Sequence, residues 1–242
     1  MPNTSPLAPK MLKGAFIRLD VTGIGIAPQI VVFQYNPETL SRKFKPYEKP
    51  VDKEGTKPDP TAQDAPYDPD EEMDVVVELD ATDDLEEPEQ HPITMVSGVA
   101  DRIAALEMLM YPSDELGLLS SAVASLAGAL GIGVSAPIPK RRESPTVLLV
   151  WGPGRIVPVK ISSFAVEEQA FNAALYPIRA KVTVGVKVLT EDYFTAKQLG
   201  RDLSAADEMA LSAYRYTFKQ RKLLAAANVS NSIDSMLSML PF

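Results

Sequence analysis

Residues 178–190, IRAKVTVGVKVLT, alternate between apolar and polar side chains, and this alternation restricts the fold more than any other feature of the sequence. Successive side chains of a β-strand point to opposite faces, so a two-residue period predicts a strand with one buried face. The predicted inner face carries Ala180, Val182, Val184, Val186 and Val188, and the outer face carries Arg179, Lys181, Thr183 and Lys187. We therefore expect an antiparallel sheet at the centre of the fold.

Five further segments are rich in β-branched and aromatic residues and predict strands. They are residues 14–21, 29–35, 73–83, 146–152 and 155–171. The first two flank a glycine-containing turn, which is typical of a hairpin. In the third, Val75, Val77 and Leu79 share one face. The last two join the strand near 179–188 in a meander long enough to curl into a barrel or sandwich.

The strand VVFQY, residues 31–35, is followed directly by Asn36-Pro37. Proline lacks a backbone N–H and disfavours helical geometry in the residue before it, so the strand must end or bulge there. Two interpretations remain open at this stage. The pair ends a strand at the edge of an assembled ring, or it forms an ordinary hairpin exit.

Two helical patterns accompany the strands. Val99, Ile103, Leu106 and Met110 recur at helical spacing and predict a helix that covers one side or end of the sheet. Near the C-terminus, Ser204 is a candidate N-cap with Asp207 three residues later. The apolar positions of this second helix are predicted to be Met209, Ala213, Tyr216, Leu223 and Leu224.

Two inserts interrupt the strands. Residues 48–72 are rich in Pro and Asp and predict an extended or mobile acidic loop. Residues 116–139, within an apolar insert spanning 113–145, carry no charge and precede Lys140-Arg141-Arg142, as membrane spans do. The centre of this run is mainly Ser, Ala and Gly, which favours packing against a partner subunit over insertion into a membrane.

The charge balance restricts the partners. The formal net charge is −8, and half of the acidic residues lie between Asp52 and Glu89. Nucleic acids and anionic membranes attract clustered Lys and Arg, so neither is expected as the main partner. The absence of cysteine excludes disulfides and thiolate chemistry and fits a reducing compartment. The first fourteen residues lack the apolar core of a signal peptide, and we expect a cytoplasmic protein.

Catalytic patterns are scarce. One histidine, His91, and no cysteine leave little for a triad or a His-rich metal site, and we expect neither an enzyme nor a cofactor. Five carboxylates could bind Ca²⁺ but lack the spacing of an EF-hand loop: Asp80, Asp83, Asp84, Glu86 and Glu87. We interpret them as a solvated acidic loop. A chain with many strands and few chemical groups indicates a structural role.

Several motifs occur in an order that resembles the tube-like baseplate proteins of contractile injection systems, the phage-tail-like particles of bacteria. They are FQYNPETL near the N-terminus, VVVELDATD after an acidic insert, a helix ending LMYP, TVLLVWGPG, and SSFAVEEQAFNAALYPIRAKVTVGVKVL. The resemblance covers roughly residues 12–190. Members of that family often carry a C-terminal LysM module, but this chain lacks the Gly-Asp-Thr-Leu opening of such a module, which argues against peptidoglycan binding.

The resemblance implies a mainly β fold with helices (α+β). It implies a tail-tube-like antiparallel barrel or sandwich with one packed helix and a C-terminal helical extension. Residues 1–192 would form the tube-like domain and residues 193–242 the extension. The protein would assemble as a ring, sixfold if the resemblance holds, and would contact inner-tube, spike or baseplate proteins. It would reside in the bacterial cytoplasm until it is built into the particle.

The motifs supply eight candidate assembly residues, namely Phe33, Tyr35, Asn36, Pro37, Trp151, Gly152, Pro177 and Arg179. Trp151 is either an interface anchor or a core residue. Arg179 either pairs with an acidic neighbour or is a plain surface cation.

Three classes of function remain open from the sequence. The first is a ring adaptor between the inner tube and the baseplate or spike. The second is a terminal adaptor at the cap end of the same kind of particle. The third is an unrelated carbohydrate- or calcium-binding β module.

Overall fold

The fold is described from a computed structural model, which describes residues 12–22, 25–46, 67–111, 145–200 and 202–237. Seven strands form one sheet. They are β1 (Ala15–Thr22), β2 (Gly25–Val32), β3 (Leu40–Lys45), β4 (Asp70–Asp80), β5 (Thr146–Val150), β6 (Ile156–Phe171) and β7 (Pro177–Val188). The helices in these ranges are α1 (Thr82–Glu86), α2 (Pro92–Ser97), α3 (Ala100–Glu107), α4 (Glu191–Gly200) and α5 (Ala205–Leu237).

All neighbouring strands of the sheet are antiparallel, in the order β2-β1-β5-β6-β7-β4-β3. The expected class, mainly β with helices, is confirmed. The expected closure is not: β2 and β3 are opposite edges of the sheet and do not pair within the described residues. The sheet is therefore open. The described residues form five helices, whereas the expectation was one packed helix and a C-terminal helical extension.

The hairpin near the N-terminus is confirmed, with Thr22 opposite Gly25 at its turn. Its second strand ends at Val32, before the Asn36-Pro37 pair. The reason is topological, because β2 lies at one edge of the sheet and β3 at the other. Residues 33–39 leave the β2 edge and cross to the side of β4 and β3. The strand therefore ends where the chain begins to cross from one edge of the sheet to the other.

One face of the sheet packs on the larger core. The alternation of β7 is confirmed, since Val182, Val184 and Val186 are fully buried and face the apolar side chains of β4. Helix α3 covers this face with Val99, Ile103, Leu106 and Leu109. The expected helix is thus confirmed, although Leu109 is buried where Met110 was expected.

A second, smaller core lies where α4 and α5 meet β1, β5 and β6. Its buried members are Leu19, Leu148, Phe194, Ala206 and Ala210. The predicted cap of α5 is confirmed: Asp207 N–H donates to Ser204 Oγ at 3.2 Å, and Ser204 N–H donates to Asp207 Oδ2 at 3.2 Å. These two bonds satisfy donors that the first turn of a helix leaves free.

The predicted apolar face of α5 is wrong. Met209, Tyr216, Leu223 and Leu224 are exposed, and only Ala213 is partly buried. The buried positions are Ala206, Asp207, Ala210, Tyr214 and Thr217. Small or polar side chains fit this face because α5 lies close to the sheet and bonds to it, as Thr217 does with both backbone groups of Ile156.

The two predicted inserts lie mostly outside the described residues. Of the acidic loop 48–72, residues 67–72 are described, and β4 begins at Asp70, three residues earlier than the predicted strand. Of the apolar insert 113–145, only Pro145 is described, so residues 116–139 lie outside the described residues. The division between residues 192 and 193 falls within α4 and stays a prediction.

Candidate assembly site

Phe33 and Trp151 lie together beside the first residues of β1. Phe33 is fully buried, and its ring centroid lies 5.3 Å from that of Phe16 and 6.2 Å from that of Trp151. A Cβ on Gly14 would lie 2.6 Å from Phe33 Cδ2, so only glycine fits beneath the ring. Trp151 is half-buried and packs against the larger core. Both aromatic residues therefore contribute to packing within the chain.

Asn36 fixes the segment that precedes β1. Its Oδ1 accepts a hydrogen bond from Gly14 N–H at 2.8 Å, and its Nδ2 donates to the carbonyl of Leu12 at 2.7 Å. The side chain thus continues the pairing of β1 after β2 has ended. Pro37 follows as a half-buried residue of the connection to β3. The abrupt end of the strand has a local structural role.

Gln34 joins the same connection to the far end of β4. Its Oε1 accepts from Asp80 N–H at 3.0 Å, and its Nε2 donates to the Asp80 carbonyl at 2.6 Å. Arg102 of α3 donates to the same Oε1 at 2.9 Å and also binds the Asp84 carboxylate. Tyr35 lies beside this network, where partial burial and the charges of Asp83 and Asp80 raise the pKa of its hydroxyl.

Pro177 and Arg179 lie at the start of β7, where β6 and β7 form a hairpin. Pro177 is buried, and its carbonyl accepts from Val99 N–H at 2.9 Å. Arg179 Nε lies 2.8 Å from Asp80 Oδ2, in a pair whose side chains are 54% and 29% exposed. Burial raises the pKa of Asp80, but hydrogen bonds from Thr82 and the charge of Arg179 outweigh it and hold that pKa below its ordinary value.

The eight candidate residues therefore form two groups instead of one site. Gly152, with φ of 74°, forms the β5–β6 turn next to Trp151, where Trp151 N–H donates to the Arg155 carbonyl at 2.8 Å. Phe33, Asn36, Trp151 and Gly152 lie near the start of β1 and the end of β5, whereas Pro177 and Arg179 lie near the end of β4. Tyr35 and Gln34 connect the two groups.

A buried ionic cluster lies at the start of β4, and no sequence pattern predicts it. Glu71 is 2% exposed, and its Oε1 accepts from Arg42 Nε at 2.8 Å while its Oε2 accepts from Arg221 Nη2 at 2.7 Å. A third guanidinium, Arg155, is close enough that burial and the charges of Arg42 and Arg221 lower its pKa. Two guanidinium groups thus bind one buried carboxylate and connect α5, β3 and β4, and the charge of Arg155 in the β5–β6 turn acts on the same cluster.

The outer face of β3, β4 and β7 is polar. Its side chains pair across strands and stay partly exposed: Lys43 with Asp74, Lys45 with Glu72, and Lys187 with Asp70, with N–O distances of 3.4, 2.9 and 2.7 Å. Lys181 of β7 lies in register between Glu78 and Glu167. Both signs of charge therefore alternate over a surface that can face water.

Metal-ligating groups are not brought together in the part of the chain that the structure describes. Within the described ranges, no group of three or more acidic or histidine side chains could hold a metal ion. Of the carboxylates considered for Ca²⁺, Asp80 bonds to Thr82 and Arg179, and Asp84 bonds to Arg102. In the described part of the chain, no helix is both long and apolar enough to cross a membrane.

No protein-family model matches the chain, and no curated protein is significantly similar to it.

Proposed function

We propose that this protein is a structural ring subunit of a contractile injection system, which connects the inner tube to the baseplate or spike. The order of the sequence motifs supports the proposal. The observation that carries it is the outer face of β3, β4 and β7, whose paired charges are suited to the wall of a water-filled channel. An enzymatic role has less support, because the polar side chains described above bond to one another or to the backbone and so hold the strands and helices together.

The open sheet supports a subunit role in a second way. Strands β2 and β3 leave outer edges unpaired within the described residues, and β5 pairs only with the first part of β6. Unpaired strand edges favour pairing with other chains, and closed assemblies cover them. Ile30 and Val32 on the β2 edge strand are 56% and 54% exposed, which adds apolar surface for a neighbour.

Deleting the gene in the particle-producing strain tests the proposal. We expect no intact contractile particles in electron micrographs and recovery when the full chain is supplied from a plasmid. A truncation after Arg221 is a sharper variant, because the side chains of residues 222–229 are exposed and the buried face of α5 is kept. It should fold but fail to restore particles. Intact, contractile particles without the gene would refute the proposal.

A labelled copy separates the two ends of the particle. A tagged chain that restores assembly should be detected by gold labelling at the baseplate end. Labelling at the opposite end would instead support the alternative, a cap-side adaptor of the same particle.

A further inference from the structure

An exposed apolar surface surrounds the β6–β7 hairpin, and we call it the tip surface. It comprises Ile93, Met95 and Val96 of α2 with Phe171, Leu175 and Tyr176 of the hairpin, all between 42% and 79% exposed. Soluble chains rarely collect so many large apolar side chains in one exposed place unless a partner covers them.

The tip surface is held in a fixed shape. Asn172 Nδ2 donates to the Val96 carbonyl at 3.2 Å and so joins the hairpin to α2. Asn172 Oδ1 accepts from the backbone N–H groups of Ala174 and Tyr176, both at 2.9 Å. Leu175 has φ of 64°, a conformation that side chains other than glycine adopt at a cost, and this presents its side chain to solvent. The hairpin keeps an apolar side chain exposed at some energetic expense.

The tip surface is bordered by acidic residues. Glu86, Glu87 and Glu89 precede α2 and are exposed, and Glu167 and Glu168 precede Phe171 on β6. The cations nearby are largely engaged, because Arg179 binds Asp80 and Lys181 lies between Glu78 and Glu167. A partner for this surface should therefore be apolar with basic side chains around it.

Helix α5 carries a surface of that chemistry, which we call the helix surface. It comprises Lys219, Lys222, Leu223 and Val229, which are all exposed and lie within about 120° of one another around the helix. Residues 209–233 contain four basic residues and no acidic residue, in a chain of net charge −8. Two of the four are occupied within the chain, Arg215 by Glu191 and Arg221 by Glu71. Lys219 and Lys222 have no ion pair in the described part of the structure.

The two surfaces lie at opposite ends of the sheet. Helix α5 bonds to Glu71 at the start of β4, and the tip surface adjoins Asp80 at the end of that strand through Arg179. Nine residues of strand separate these positions, which is about 30 Å. A single copy cannot bring such surfaces together, whereas two copies arranged head to tail can.

We propose that the tip surface of one copy binds the helix surface of the next copy, so that identical chains join head to tail. Such a contact is heterologous, and repeated contacts of this kind close into a ring or extend into a filament. The inference rests on the proposed function only for the claim that copies assemble into a ring. The contact itself follows from apolar and charge complementarity and is measurable on the purified full chain.

Sedimentation velocity of three purified full-length variants tests the contact. Leu175→Asp places a charge in the tip surface at a backbone conformation that Asp tolerates. Leu223→Asp does so in the helix surface, and Leu199→Asp, at an 88% exposed position of α4, is the matched control. We expect the wild type and Leu199→Asp to form species larger than dimers, and each of the other two variants to be monomeric. An equal mixture of Leu175→Asp and Leu223→Asp should form a dimer and nothing larger.

The mixture distinguishes a head-to-tail contact from other contacts, because each substituted variant keeps one of the two surfaces unchanged. Dimers in the mixture but not in either variant alone are expected only for a head-to-tail contact. The inference would be overturned by a monomeric wild type, by full assembly of either blocked variant, or by a mixture of folded variants that stays monomeric. Circular dichroism and thermal unfolding confirm that the variants are folded. A monomeric wild type together with particle loss on gene deletion would refute this contact and leave the proposed function standing.

Discussion

The side-chain amide of Gln34 pairs with the backbone of Asp80 as a neighbouring strand would, with one bond of 3.0 Å to its N–H and one of 2.6 Å to its carbonyl. This pairing fixes the connection between the two edge strands to the end of β4. It also explains why the strand before Asn36-Pro37 stops early, because Gln34 must turn away from β1 to reach Asp80. Arg102 adds a third bond to the same amide.

Replacing Gln34 by Ala should destabilise the protein by about 1–3 kcal/mol, because the Asp80 N–H loses its acceptor and the Asp80 carbonyl and Arg102 each lose one of their hydrogen bonds. Urea unfolding measures the change. A double-mutant cycle with Arg102→Ala should show coupling, since the two side chains share one oxygen. The control is Glu38→Ala, an exposed position in the same connection. Equal stability of Gln34→Ala and Glu38→Ala would contradict the role assigned to the amide.

Gly98 forms the turn between α2 and α3, with φ of 56°. A Cβ at this position would lie 2.1 Å from the carbonyl oxygen of Pro177, a backbone atom that cannot move aside. Gly98→Ala should therefore cost about 2–4 kcal/mol from strain and overpacking, as measured by chemical denaturation. Gly154→Ala, with open space around its Cβ, is the matched control and should change stability little. Gly98→Ala should also move α2 away from the β6–β7 hairpin, and it should therefore weaken self-association through the tip surface.

The buried carboxylate of Asp207 should make stability depend on acid pH. Burial raises its pKa, but hydrogen bonds from Lys197 and Ser204 outweigh burial and hold that pKa below its ordinary value. A native pKa below the unfolded one means that the stabilisation is present above about pH 4 and is lost as the pH falls through the native pKa. The stability gap between wild type and Asp207→Asn should be about 1–3 kcal/mol near neutral pH and should shrink towards pH 3. A gap that does not change with pH would contradict this account, and Glu208→Gln is the exposed control.

The sequence predicts those parts of the fold that depend on local periodicity. The alternation of β7, the hairpin of β1 and β2, the stripe of α3 and the cap at Ser204 all follow from side chains a few residues apart. All are confirmed, with Leu109 in place of Met110 in the stripe. Such patterns report which face of an element is buried, because burial repeats with the period of the element.

The parts that the sequence does not predict depend on distant partners. Gln34 and Asp80 are 46 residues apart, and Glu71 and Arg221 are 150 apart, so no short pattern marks either contact. Helix α5 misleads for a related reason. Its apolar residues occur all round the helix, so periodicity cannot identify the face that docks, and the close approach to Ile156 selects small and polar side chains. Closure of the sheet likewise depends on whether the two edge strands meet.

The Glu71 cluster gives the last prediction. Glu71→Gln removes the one buried negative charge among Arg42, Arg155 and Arg221, so their repulsion is no longer balanced. Breaking a buried ion pair on one side costs about 3–5 kcal/mol, and we expect a loss near that size in urea unfolding. Glu72→Gln is the matched control: it removes the same group from the next residue, which is partly exposed and bonds to Lys45 on the outer face, and stability should change little.

A second substitution distinguishes two causes of the stability lost in Glu71→Gln, namely repulsion between the guanidinium groups and the loss of hydrogen bonds. Arg155 has burial and two neighbouring cations acting against its charge, and within the described residues its side chain makes no ion pair. Arg155→Gln should therefore be neutral or slightly stabilising alone, and it should recover part of the stability lost in Glu71→Gln. Recovery should decrease at high salt, because screening already weakens the repulsion between partly exposed guanidinium groups. If Arg155→Gln instead destabilises the wild type and worsens Glu71→Gln, then Arg155 contributes favourable packing and the cluster is not short of negative charge.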